Sequence, residues 1–135
     1  MKTRNAIVLA VSFLFLFFAI GLPYWQVPYA QVALPDTLYD YELAAVFLLA
    51  GLLRMLGSKR PHFLLTVAFT GIAAPAAVMV RVVRDTSVDP TSHNLWPFEV
   101  AIAVAVGFSV AMVGALLGSL VSWGINRATS NRGGI

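Results

Sequence analysis

The sequence contains no cysteine, and only 11% of its residues are charged. The absence of cysteine excludes disulfide bonds, thiol redox chemistry and cysteine-ligated metals. A soluble domain usually has about 25% charged residues, so this chain has too few of them to cover a surface that faces water. Hydrophobic residues make up 59% of the chain, and the mean hydropathy is +0.83. This composition predicts that lipid surrounds the protein.

The middles of the long apolar runs also lack acidic residues and histidines. A proton-coupled exporter of the small multidrug type needs a carboxylate in its first helix. A chain that ligates a b-type haem between its own helices needs histidines at membrane depth. The sequence argues against both classes, and we expect a protein with no cofactor, no metal and no enzymatic activity.

Four apolar runs predict an all-α membrane protein with four transmembrane helices. These cover about 6–22, 37–56, 63–83 and 98–125, with outer loops at 23–36 and 84–97 and a loose tail at 127–135. The second apolar core is short, but an extension back to Thr37 gives roughly 20 residues, enough for ~30 Å at 1.5 Å per residue. The first run follows a basic segment, as in a signal peptide, but it exceeds the usual ~7–15 apolar residues. We therefore expect it to be a retained helix.

Basic and acidic residues fall on different sides of this predicted bundle. With a cytoplasmic N-terminus, seven of the nine basic residues lie inside, whereas Arg81, Arg84 and all six acidic residues lie outside. The positive-inside rule then places both termini in the cytoplasm. Because the basic residues are spread over three short flanks, no nucleic-acid-binding face is expected.

The third predicted helix has a proline near its middle. Pro75 lacks an N–H and its ring collides with the carbonyl of Gly71, so we expect a kink there. The alternative is a gating hinge or a substrate site built on a broken helix. Arg81 and Arg84 in its last turns, like Arg54 in the second helix, can extend to the headgroups. Arg81 can instead form an ion pair, either with Glu99 or with Asp85.

Small residues recur on one face of the fourth predicted helix, at spacings of four, three, four and four: Gly107, Ala111, Gly114, Gly118 and Ser122. Gly114 and Gly118 form a GxxxG pair, which lets helix backbones approach closely in lipid. This face can pack within the chain's own bundle, or it can contact another copy or another subunit.

The segment before the fourth helix, DPTSHNLWPFE at 89–99, is the most chemically varied part of the chain. It suits a turn, an interfacial anchor and a helix start. A second interpretation is a metal or proton-transfer site formed by Asp89, His93 and Glu99, although their spacing matches no established metal motif. A third is a docking surface for a partner or a lipid headgroup. The candidate docking residues are Trp25, Asp89, His93, Trp96, Phe98 and Glu99.

The same segment, together with a retained first helix and Leu34–Pro35 before the second, resembles a group of small uncharacterised bacterial membrane proteins. The resemblance is most specific over 89–99. It implies a four-helix protein of the inner membrane, and it implies no activity.

From these features we expect a non-catalytic accessory or assembly subunit of a larger bacterial membrane complex, or a homo-oligomeric scaffold. Its partners would be the lipid bilayer and integral-membrane subunits or further copies of the chain. The alternative is a small transporter or channel in which the kinked third helix and the region of Arg81 and Glu99 line a path. A metal- or lipid-modifying enzyme is a third interpretation.

Overall fold

The computed structural model describes residues 3–28, 31, 41–56 and 61–132, and these residues contain helices and turns without any strand. The helices are α1 (Thr3–Gln26), α2 (Tyr41–Met55), α3 (Phe63–Gly71), α4 (Ala73–Val88) and α5 (Trp96–Arg132). The prediction of an all-helical chain is confirmed for these residues. The predicted helix start at Thr37 and the Leu34–Pro35 dipeptide lie outside the described residues.

Three helical stretches of the described chain are long and apolar enough to cross a membrane: Thr3–Gln26, Phe63–Val88 and Trp96–Ser130. They correspond to the first, third and fourth predicted helices. The described part of α2 has 15 residues. That length is about 22 Å at 1.5 Å per residue, less than the ~30 Å of a hydrocarbon core.

α3 and α4 form one rod that is interrupted at Ile72. Pro75 removes the N–H that would bond the carbonyl of Gly71, and its ring crowds that carbonyl. The main-chain ladder continues on both sides, where Ile72 N–H donates to Ala68 at 3.1 Å and Ala76 N–H donates to Ile72 at 3.0 Å. The Gly71 carbonyl faces Gly107 of α5, and a Cβ built on Gly107 would lie 2.6 Å from it. The helix break is thus matched by a close approach of α5.

The helices form two pairs that run in opposite directions. α2 and α5 are parallel, since Gly114 faces Phe47 and Gly118 faces Gly51 four residues further along each helix. α1 runs parallel to the α3–α4 rod, because its end at Trp25 bonds to Ala77 in the later half of that rod. The core between the pairs combines larger apolar side chains with alanines: Leu16, Ile20, Val46, Val78, Ala50, Ala73, Ala74, Ala77, Ala103, Ala111 and Ala115. Small side chains let the backbones approach closely where helices cross.

The helix ends differ from the predicted bounds. α1 extends from Thr3 to Gln26, beyond the predicted 6–22, so residues 23–26 are helical rather than part of the outer loop. α5 begins at Trp96, two residues before the predicted start. α5 continues to Arg132, so the expectation of a loose tail from 127 is wrong for residues 127–132. That stretch contains no glycine or proline to end the helix, and Arg127 lies over the ring of Trp123 at 5.1 Å from its centroid. α4 likewise runs on to Val88, because the first residue that disfavours helix is Pro90 and Thr86 bonds back to Val82 at 2.7 Å.

Candidate functional site

Arg81 is almost completely buried, with 1% of its surface exposed. Its guanidinium donates to the carbonyls of Tyr24 at 2.6 Å and Val27 at 2.5 Å, at the end of α1. The guanidinium carbon also lies 4.9 Å from the ring centroid of Tyr24. The last carbonyls of a helix accept no hydrogen bond from within the helix, and they carry partial negative charge. Arg81 of α4 therefore caps α1.

His93 lies in the turn between α4 and α5 and points into the protein. Its backbone has φ 55°, in the left-handed region, where histidine is found more often than most residues. Its ring is fully buried, with Nδ1 2.8 Å from Glu99 Oε2 and Nε2 3.1 Å from Asp85 Oδ2. His93 thus bridges a carboxylate of α4 and a carboxylate of α5.

Asp85 joins these two arrangements. Its Oδ2 accepts from Arg81 Nε at 3.3 Å as well as facing His93, and its Oδ1 accepts from Arg84 Nε at 3.0 Å. We refer to Arg81, Asp85, His93 and Glu99 as the His93 network. It connects the end of α1, the last turns of α4, the 89–95 turn and the first turn of α5.

The bonding pattern of the His93 network suits a proton better than a metal. Metal ligation requires a ring nitrogen and several carboxylate oxygens to converge on one point. Here each nitrogen of His93 points directly at a different carboxylate. Across the described residues, no group of three or more His, Asp or Glu side chains is arranged to hold a metal ion.

The network decides between alternatives that the sequence left open at two positions. Arg81 does not pair with Glu99. Its carboxylate partner is Asp85, whereas Glu99 contacts the ring of His93. Asp89 lies outside the network, because its Oδ1 accepts from the N–H of Thr91 at 2.9 Å and from its hydroxyl at 2.7 Å. These bonds lower the pKa of Asp89 below its ordinary value and fix the start of the turn.

The predicted docking residues do not form one surface. Trp25 is half-buried within α1, where its indole N–H donates to the Ala77 carbonyl at 2.9 Å and its ring packs edge-on against Phe17. His93 and Glu99 face inward. Trp96 and Phe98 remain 42% and 67% exposed.

Arg54 forms a second buried cationic contact, at the opposite end of the bundle. It is 8% exposed, and it donates to the Pro61 carbonyl at 2.5 Å and to Ser119 Oγ at 2.9 Å. Arg54 therefore does not extend to the headgroups. For Arg81, the sequence left both headgroup contact and an ion pair open, and the structure shows the ion pair with Asp85. A sequence signal existed for both. Each follows a buried small residue by four positions, Ala50 for Arg54 and Ala77 for Arg81, and so continues the inward face of its helix.

The small-residue face of α5 lies inside the chain's own bundle. A Cβ on Gly114 or Gly118 would collide with backbone carbonyls of α2, at Phe47 and Gly51. Ala111 is fully buried and Ser122 is 4% exposed. Because α2 and α3 cover this face, it is not left open for a second copy or another subunit.

No protein-family model matches the chain, and no curated protein or solved structure shows significant similarity to it. Any function must therefore be inferred from the chain's own geometry. The features that carry such an inference are the His93 network, the Arg54 contact and the apolar outer faces of the helices.

Proposed function

We propose that the chain is a multi-pass protein of the bacterial inner membrane with four spans and both termini in the cytoplasm. The three long apolar stretches support three of these spans. α2 would supply the fourth, since it runs parallel to α5 with its backbone in close contact. In this orientation the His93 network lies on the outer side and Arg54 lies on the cytoplasmic side, in agreement with the positive-inside rule.

Within this membrane, the chain acts as a non-catalytic accessory or assembly subunit of a larger complex, or as a homo-oligomeric scaffold. The observation that carries this proposal is how the buried ionisable groups are used. Arg54 and Arg81 each tie separate helices together, and His93 ties a turn to α4 and α5. Intramembrane ionisable residues usually mark a functional pathway. Here they support the internal architecture, which suits a structural role.

The exposed face of α1, which points away from the other helices, offers a surface through which such a subunit could assemble. In the most apolar 18 residues of α1, 28% are buried, the same share as in α5, against 50% for the α3–α4 rod. The exposed side chains share one apolar side of the helix: Val11, Leu14, Phe15, Phe18 and Leu22. A membrane helix of a partner or a second copy could pack against this ridge.

Photo-crosslinking from this face tests the accessory role. A benzophenone amino acid replaces Phe15, which is 60% exposed, and in a matched control it replaces Leu16, which is fully buried. The proposal expects a defined protein adduct from position 15 in native membranes and only intramolecular products from position 16. A single-chain mass in gentle detergent, combined with lipid adducts alone at position 15, would contradict it.

A small transporter or channel is the second candidate, favoured by one specific arrangement. The rod interrupted at Ile72 carries Arg81 and Asp85 of the His93 network at its far end. A bend of this rod at its interruption would move the network. The test is proton flux in reconstituted vesicles, read with an internal pH-sensitive dye. Flux that is lost on Pro75→Ala and on Glu99→Gln would favour transport, and flux equal to empty vesicles would exclude proton transport.

A further inference from the structure

We propose that the His93 network is a proton-binding site, in which one bound proton holds the 89–95 turn onto α4 and α5. The site would act as a pH-sensitive lock at one end of the bundle. The inference rests on the geometry of the network and does not depend on the accessory role.

The first step is the number of donors that the two histidine contacts require. Nδ1 lies 2.8 Å from Glu99 and Nε2 lies 3.1 Å from Asp85, both at hydrogen-bonding distance. A neutral imidazole has one N–H and one acceptor nitrogen, and an ionised carboxylate has no donor. A fully deprotonated network would therefore place a nitrogen lone pair against a carboxylate oxygen. Both contacts are satisfied only when the network holds one more proton.

The second step places that proton on His93. Asp85 accepts from the guanidinium groups of Arg81 and Arg84, which favours its ionised form. Glu99 lies in the first turn of α5, where the helix dipole favours a negative charge. With both carboxylates ionised, the extra proton makes His93 an imidazolium that donates to each of them.

The third step is the balance of charge. With a protonated His93, the two positive groups of the network match its two carboxylates. Loss of the proton leaves one net negative charge around a ring with 0% exposure, and it removes the donor that the ring had supplied to one of the two carboxylates. The side chain of Arg84 is 57% exposed, so its positive charge offsets this negative charge less than a buried cation would. Among the described residues, the ionisable groups that contact the ring include Asp85 of α4 and Glu99 of α5. Those that contact Asp85 or Arg81 in turn include Arg84 and Tyr24, and Asp89 lies in the same turn as His93.

The fourth step connects the proton to the fold. His93 has a left-handed backbone, which is retained where surrounding contacts hold it in place. The two ring contacts are such a constraint. When one of them is lost, the 89–95 turn is held less firmly, and the exposed Trp96 and Phe98 that follow it can change position. Rising pH would thus loosen the outer end of the bundle.

Nitrogen NMR of the histidine ring tests the protonation state directly. The chain has two histidines, so His62→Gln leaves His93 as the only labelled ring. The protein is studied in lipid nanodiscs at neutral pH. We expect two ring N–H groups, each coupled to a hydrogen-bonded acceptor, with one lost as the pH rises. A ring that carries a single N–H at neutral pH would overturn the proposal.

Stability measured against pH tests the lock. Because the folded chain would retain a proton that the unfolded chain releases, its folding equilibrium constant should fall as pH rises, by at most about tenfold per pH unit. The fall should persist in His62→Gln and disappear in His93→Gln. If His93→Gln does not fold, Glu99→Gln serves instead, because it removes one of the two carboxylates at similar size. A slope that is the same in all variants would contradict the lock.

Discussion

The substitution Gly118→Ala probes the close contact between α5 and α2. The added methyl group would meet the backbone of Gly51 in α2, at a separation that real Cβ atoms do not adopt. Because backbone atoms cannot rotate away, α2 and α5 must separate locally. Overpacking of this kind costs about 1–3 kcal/mol, and the better helix propensity of alanine returns about 1 kcal/mol. We expect a net loss of up to about 2 kcal/mol.

Gly124→Ala is the matched control, because a Cβ at this position of the same helix meets nothing within 4 Å. It retains the gain in propensity without the collision, so it should be neutral or stabilising by up to about 1 kcal/mol. The assay is reversible unfolding in mixed micelles with increasing denaturing detergent. Equal effects of the two substitutions would refute the proposed α2–α5 contact. A change of oligomeric mass in Gly118→Ala alone would instead place this face at an interface between chains.

Three further substitutions, the first with a matched control, test the site and its surroundings. Arg81→Met should cost about 3–5 kcal/mol of unfolding free energy, since it removes a buried cation that donates to Asp85 and to the carbonyls of Tyr24 and Val27, whereas Arg84→Met should cost at most about 1 kcal/mol. Both are measured by the same unfolding assay, and equal losses would contradict the burial of Arg81. Trp25→Phe should cost about 1 kcal/mol through its lost hydrogen bond, and no loss would argue against that bond. Thr91→Val should raise the pKa of Asp89 toward its ordinary value in a carbon NMR titration. Because the folded pKa is lowered, the stabilisation from Asp89 is present above its unfolded pKa and is lost as the pH falls through its folded pKa. An Asp89 pKa that is unchanged in Thr91→Val would refute the assigned cap.

The apolar runs were sufficient to predict the three long helical stretches of the described residues, because hydropathy and length are local properties of the sequence. The position of the helix interruption also follows from local chemistry, since Pro75 acts on the carbonyl four residues before it. The end of α5 does not follow from hydropathy. The apolar run ends near Ile125, but a helix continues until a residue breaks it, and none does so before Arg132.

The His93 network could be predicted only in part. The sequence pointed to His93, Glu99 and Arg81, and it left Asp85 as one of two partners for Arg81. The network forms with a left-handed backbone at His93, whose ring faces inward and contacts Asp85 rather than Asp89. No sequence pattern specifies that angle for a histidine. The burial of Arg54 and Arg81 also depends on tertiary contacts. An arginine near a helix end can reach the headgroups, but here both side chains bond to groups on other parts of the chain.

Single-cysteine labelling tests most directly whether the chain crosses a bilayer with the His93 network on the outer side. The chain has no native cysteine, so Asn94→Cys in the turn and Thr129→Cys near the end of α5 each give one reactive thiol. A membrane-impermeant maleimide is applied to intact spheroplasts, with permeabilised spheroplasts as the control. We expect position 94 to react in intact spheroplasts and position 129 to react only after permeabilisation. If the chain has four spans, Thr3→Cys should also react only after permeabilisation. Equal reaction of positions 94 and 129 in intact spheroplasts would contradict the account.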